Sequence, residues 1–310
     1  MYNEERKMRF LEETRSSVGF GKSVFKTIAP YEHEAKMDLC ELPIEILQPV
    51  ANSNFGSRTR TSDSTIAFLR AYTTWCREEG FPVGDGVYLL KTEMDEKVRR
   101  LMIASPKHLE ATLNKAFAPV QSETVDCLYR CYLWMAFAGL KDVDALDVKV
   151  CEIDFDTMLI EHNGRSYELY REAVPTFKMA CSATQFRYIN PNYGSDKQGG
   201  YRNRYPGELL MRGIRSEQIK IATVRASIGK AFKECGVETT YNKIRLSGLF
   251  YKAYEMERCG EEVNFDGIVE ERLSQMDHKY HKNYTRNKEA NGIRRDLFDD
   301  YGCWKAAFAR

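Results

Sequence analysis

The chain has 310 residues, 43% of them hydrophobic, which is enough to bury a sizeable core and points to two medium domains. Its 46 basic and 45 acidic residues leave a formal charge of +1, so no global basic excess announces a nucleic acid, and any such contact must come from local patches. Nine cysteines lie scattered without a CxxC pair, and the acidic, Arg-rich N-terminus carries no secretory signal; both favour reduced thiols in a cytoplasm. His278 and His281 could face one side of a turn, but no ligand-spaced Cys or carboxylate accompanies them, so no metal and no cofactor are expected.

The first hundred or so residues read as helices joined by polar loops. Phe20 to Leu42 contains an amphipathic run that Pro43 breaks. Asn52 to Ser62 is a Gly/Ser/Arg-rich loop, with Ser62 or Asp63 as the N-cap of the next helix. In that helix Ile66, Leu69, Tyr72 and Trp75 or Cys76 recur at helical spacing, and Gly80 sits just past its C-cap. A Gly-rich turn follows, then a helix with Lys97, Arg99 and Arg100 near its end, where cations complement the dipole. Ser105 at an N-cap and Pro106 at the first helical position open a helix through Ala116, which places a domain boundary near residue 104.

The second half changes character. A helix from Glu123 to Ala138 carries the apolar run Leu133 to Phe137, too short to span a membrane, and Gly139 ends it. Val148 to Phe155 alternates like a half-buried strand. A second run, Thr157 to Glu161, meets a third, Ser166 to Tyr170, across His162-Asn163-Gly164-Arg165, and Asn-Gly between alternating runs is a strong hairpin signal. Helices are expected at Ser216 to Cys235, Lys243 to Cys259 and Asp266 to Met276. Leu297, Tyr301, Trp304 and Phe308 then draw an apolar stripe down a C-terminal helix.

The order of buried helix, Gly139-Leu140 stop, polar turn and strand resembles the first catalytic box of the tyrosine recombinase, or phage integrase, family. There a Gly-Leu-Arg-x-x-Glu-Leu turn leads into a small sheet; Lys141 stands at the arginine and Asp144 at the glutamate. The resemblance implies a mainly α fold with a small antiparallel β-sheet, built as a two-domain clamp around duplex DNA. A helical core-binding (SAM-like) domain would span 1–104, and a recombinase catalytic-like domain with its C-terminal helix would span 105–310. The family's chemistry is metal-free attack of a tyrosine hydroxyl on a backbone phosphate, with two arginines gripping the phosphate oxygens and a hairpin lysine as acid.

Against that pattern the sequence departs repeatedly. Lys141 keeps a charge but loses the planar fork. Arg165 falls at the acid lysine of the hairpin and cannot give up a proton at ordinary pH. The second box, His-x-x-Arg in the family, reads Asn242-Lys243-Ile244-Arg245, so only Arg245 is unchanged. Leu273-Ser274-Gln275 matches the family's Leu-Gly-His, and nine residues onward stands Tyr284, at the nucleophile's place. Loss of one preorganised donor costs a factor of about 100 to 1,000 in rate, so four replacements leave little strand cleavage.

What survives is positive charge where a phosphate would sit. Lys141, Arg165 and Arg245 are the core of an expected DNA contact. The Lys197–Lys230 stretch adds Arg202, Arg204, Arg212 and Arg215 among eight basic residues against Glu208 and Glu217. His278 to Arg295 has six against Glu289; Lys243 extends the second box, and Arg58 and Arg60 are candidates in the first domain. The reading that follows is a sequence-specific double-stranded DNA-binding protein of recombinase fold, catalytically inactive, similar to recombinase-fold repressors of temperate phages and regulating transcription in a bacterial host, associated with the nucleoid. The alternative is an active integrase working through Tyr284. The C-terminal stripe either packs in cis or joins copies into a homo-oligomer, and an antagonist protein or peptide is a further candidate partner.

Overall fold

The computed structural model describes residues 2–14, 17–54, 59–91, 94–117, 123–187, 201–275 and 283–309. Among these the chain is mainly helical with small antiparallel sheets. It divides into two compact units: Met1–Val98 with Phe265–Ala307, and Arg99–Asn264 with Phe308–Arg310.

In the first unit α1 (Glu4–Glu13), α2 (Val18–Ala35), α3 (Ile44–Asn54) and α4 (Thr59–Glu78) surround a core of Phe10, Phe25, Ile28, Leu39, Leu69 and Tyr72. The helical spacing read from α4 is its buried stripe: Ile66, Leu69, Tyr72, Trp75 and Cys76 are all buried. Tyr72 takes Phe10 and Phe25 edge-on, with ring centroids 5.2 and 5.1 Å away, a favoured aromatic geometry. At the end of α4, Gly80 has φ 78°, and Phe81 N and Gly80 N bond back to Cys76 O and Arg77 O; glycine allows this left-handed stop. The expected cap at Ser62 or Asp63 is not there, because α4 already runs from Thr59 and both residues are helical. Nor does Pro30 or Pro49 interrupt its helix.

A buried ion pair fastens α1 to α2. Lys7 Nζ donates to both Glu32 oxygens at 2.5 Å, with both side chains fully buried, and Leu39 N donates to Glu32 Oε1 at 2.7 Å. Burial pushes the Glu32 carboxyl up from its ordinary value, and Lys7 works against that shift. The short α5 (Gly86–Leu89) and α6 (Met94–Leu101) follow.

The second unit is built on α8. After α7 (Pro106–Ala116), which is capped as read, with Ser105 Oγ accepting from His108 N, α8 (Glu123–Ala138) is buried on all sides from Cys131 to Phe137. A helix apolar all round belongs in a core. The turn α9 (Asp144–Asp147) leads to β1 (Ile153–Asp154), β2 (Leu159–His162) and β3 (Arg165–Glu168), an antiparallel sheet in that order. The hairpin forms where Asn163-Gly164 placed it: φ is 50° and 71°, and His162 lies opposite Arg165.

One strand is shorter than the alternation suggests. Only Ile153–Asp154 of the Val148–Phe155 run pairs in this sheet; 150–152 is a 3-10 turn, because Glu152 Oε2 accepts from Lys149 N and competes with a ladder. The beginning of the run pairs elsewhere, through Val150 N to Glu208 O and Leu210 N to Val148 O. Then come α10 (Val174–Ser182), a second hairpin of β4 (Gln185–Arg187) and β5 (Tyr201–Asn203), α11 (Ile221–Glu234) and α12 (Tyr241–Arg258). The hairpin β4–β5 was not expected, and α11 begins five residues later than the Ser216 start.

The C-terminal part holds α13 (Asp266–Gln275) and α14 (Asn283–Phe308). Leu297, Tyr301 and Trp304 are buried within the chain, and Phe265 meets Phe298 and Tyr301 at ring-centroid distances of 5.0 and 5.8 Å. The stripe is thus covered in cis. Phe308, counted with the second unit, lies 6.1 Å from the ring of His108. No helix among the described residues is long and apolar enough to cross a membrane.

Candidate nucleic-acid interface

The turn after α8 is the centre of the site. Gly139 has φ 108°, and Gly139 N and Leu140 N bond to Ala136 O and Met135 O, so the chain reverses sharply and brings Lys141 out of the core. The start of α12 is tied to this turn by two side chains. Arg245 Nε donates to Gly139 O at 2.7 Å, and Tyr241 Oη donates to Leu140 O at 3.1 Å. Thr240 caps α12 through Lys243 N. Asn242, Lys243 and Arg245 are therefore held on the helical turn that abuts Gly139-Leu140-Lys141. Asn242 is exposed, and Lys141, Lys243 and Arg245 are half-buried.

The neighbouring charges hold this corner together. Arg225 of α11 pairs with Asp142, the residue after Lys141. Tyr241 and Tyr132 pack with ring centroids 4.5 Å apart and planes tilted by 42°, and burial pushes both phenols up from their ordinary value. A phenol pushed upward is the reverse of an activated nucleophile. Tyr241 is a positioning residue that the sequence reading missed; its only signal was its place immediately before Asn242.

Arg165 begins β3 at the hairpin tip, exposed, and its side chain makes no hydrogen bond or ion pair among the described residues. Behind it His162 is buried at 4% exposure, with Nδ1 2.9 Å from Glu152 Oε2 and Nε2 2.9 Å from Asn163 Nδ2. Gln275 ends α13 and Tyr284 lies in the first turn of α14, but their side chains are outside the described residues, as are those of Arg58 and Arg60. His278 and His281 also lie outside them.

The basic run around 202–215 separates into different roles. Arg202 and Arg215 are exposed. Arg204 corrects the expectation of a DNA contact: it is 5% exposed, and its guanidinium donates to Ala180 O at 2.7 Å, Ala183 O at 2.9 Å and Leu210 O at 2.5 Å. Burial without a carboxylate partner, with Arg212 nearby, lowers it to about 10. Arg212 is half-buried and donates to Gly207 O.

Asp38, Cys40 and Cys76 place ligand-type atoms within 4.8 Å of one another in the first unit. Both Asp38 oxygens already accept bonds, from Asn3 Nδ2 at 2.8 Å, Cys40 N at 3.2 Å and Tyr72 Oη at 3.1 Å, with Arg6 3.5 Å away. The group is a hydrogen-bonded tie between α1, the Asp38 turn and α4.

Residues 1–78 match the family model of the MrpR N-terminal core-binding domain. Among solved structures the chain is similar to the XerA recombinase, at 12% identity over 89% of this chain and 99% of that one, with a TM-score of 0.38. It is also similar to the integrase from mycobacterium phage Brujita, at 14% identity over 96% of each chain and a TM-score of 0.35. No curated protein matches.

Proposed function

We propose that this protein binds duplex DNA through phosphate contacts at Lys141, Arg165 and Arg245, does not cleave it, and acts as a phage or prophage transcriptional regulator. The observation that carries the reading is the anchoring of Arg245 to Gly139 O, which gathers the cations of both boxes at one turn while Asn242 stands at the place of a proton-transferring histidine. A guanidinium fixed by a backbone bond, as that of Arg245 is, needs no reordering to meet a phosphate, and such contacts position a protein on duplex without proton transfer. The core-binding match of residues 1–78 supports a DNA-binding architecture.

The test has two arms. Fluorescence anisotropy with labelled duplex should show affinity falling steeply with salt, and Arg245→Ala should reduce the log–log slope by about 1. Salt-insensitive binding, or none, overturns the proposal. Nicked suicide substrates should trap no covalent adduct. An adduct that vanishes in Tyr284→Phe overturns the non-cleaving part and installs an integrase in its place. Footprinting across phage control regions then tests the regulatory role.

A further inference from the structure

We infer that His162 is a positioning residue for Arg165: through Glu152 and Asn163 it fixes the hairpin tip that presents the guanidinium to a DNA phosphate. The inference rests on the DNA-binding reading above. It begins from the bonds of the imidazole. A carboxylate only accepts, so Nδ1 donates to Glu152 Oε2, and Nε2 accepts from the Asn163 side-chain amide, each at 2.9 Å. Glu152 is itself held, because Oε2 also accepts from Lys149 N at 2.8 Å. A relay therefore runs from the backbone at Lys149 through Glu152 and His162 to Asn163.

Asn163 is the residue on which the turn depends. It stands at φ 50° and is followed by Gly164 at φ 71°, two left-handed residues in succession, as a two-residue hairpin turn requires. A non-glycine residue held there is strained, and its side-chain bond to His162 is a local restraint that keeps it in place. Arg165 is the next residue, and it is paired directly with His162 across the strands. Directly opposed residues of an antiparallel pair project from the same face, with Cβ atoms about 5 Å apart. His162 thus acts on Arg165 by fixing the turn from which it projects, from the position directly opposite on the same face of the hairpin. A loose tip would have to be ordered on binding, at a cost in affinity that a braced tip avoids.

The experiment is a double-mutant cycle on the full chain, read by anisotropy with a fluorescein-labelled duplex of arbitrary sequence at low salt, because a phosphate contact is sequence-independent. His162→Ala should weaken binding about fivefold, within the range of coupling between contacting residues, and should have no further effect when Arg165 is already alanine. Glu152→Gln, a nearly isosteric change remote from the tip, should weaken binding in the same direction and also lose its effect in the Arg165→Ala background. It decides the matter if His162→Ala does not fold. Effects that multiply independently of Arg165 overturn the positioning role and leave the DNA reading standing. An Arg165→Ala variant that binds like the parent removes Arg165 from the DNA contact, and with it this inference.

Discussion

Arg204 and Arg215 lie in the same basic run, and the structure gives them opposite tasks. Arg204 satisfies three backbone carbonyls from inside the fold, whereas Arg215 is exposed. Replacing Arg204 by alanine orphans buried acceptors and should lower stability by about 3 kcal/mol, measured by urea denaturation, while the salt slope of DNA binding in the folded protein stays unchanged. Arg215→Ala should do the reverse: a stability change within about 0.5 kcal/mol, and a loss of about 1 in the slope if it touches a phosphate. Equal effects of the two variants on stability would refute the division. A run of cations in sequence does not distinguish them, because the groups that claim Arg204 are main-chain carbonyls and leave no trace in residue identity. The turn that Arg245 anchors had its own signal in Gly139, whose left-handed φ of 108° ends α8.

At the scale of elements, local chemistry was legible and distant pairing was not. Ser105-Pro106 opened α7 where expected, and Asn163-Gly164 set the hairpin, because cap and turn preferences act within a few residues. The Val148–Phe155 run is not one strand because its first three residues, 148–150, pair with 208–210, a partner that alternation cannot name. The contact of α8 with α12 was equally hidden, although it sets the site. A Cβ placed on Gly248 would lie 1.7 Å from Phe137 O, a main-chain atom that no rotamer can move. Gly248→Ala must therefore push α12 away from α8, just before the turn that Arg245 and Tyr241 hold. The expected outcome is a loss of about 3 kcal/mol and weaker DNA binding together. A Gly248→Ala protein with parental stability and affinity would show that the two helices do not need this close approach.

At the scale of the molecule, two cores share no residue: one is centred on Phe10, Phe25 and Tyr72, the other on α8. Each contains its own vulnerable feature, which makes their independence measurable. In the first unit Lys7→Met strands the buried Glu32 carboxylate, and breaking a buried pair by removing one partner costs about 3–5 kcal/mol. The Glu32 carboxyl is already raised by burial, and without Lys7 it rises further. A raised folded-state value favours the protonated group, so the deficit should be largest at neutral pH and shrink as pH falls through that value. Calorimetry of the full chain should then resolve two transitions. Lys7→Met should lower one by roughly 10 °C at neutral pH and by less in mild acid, leaving the other in place. Gly248→Ala should lower the other transition alone, with no such pH dependence. If either variant moves both transitions together, the units unfold as one cooperative body, and the strain at the α8–α12 contact is then felt by the first unit as well.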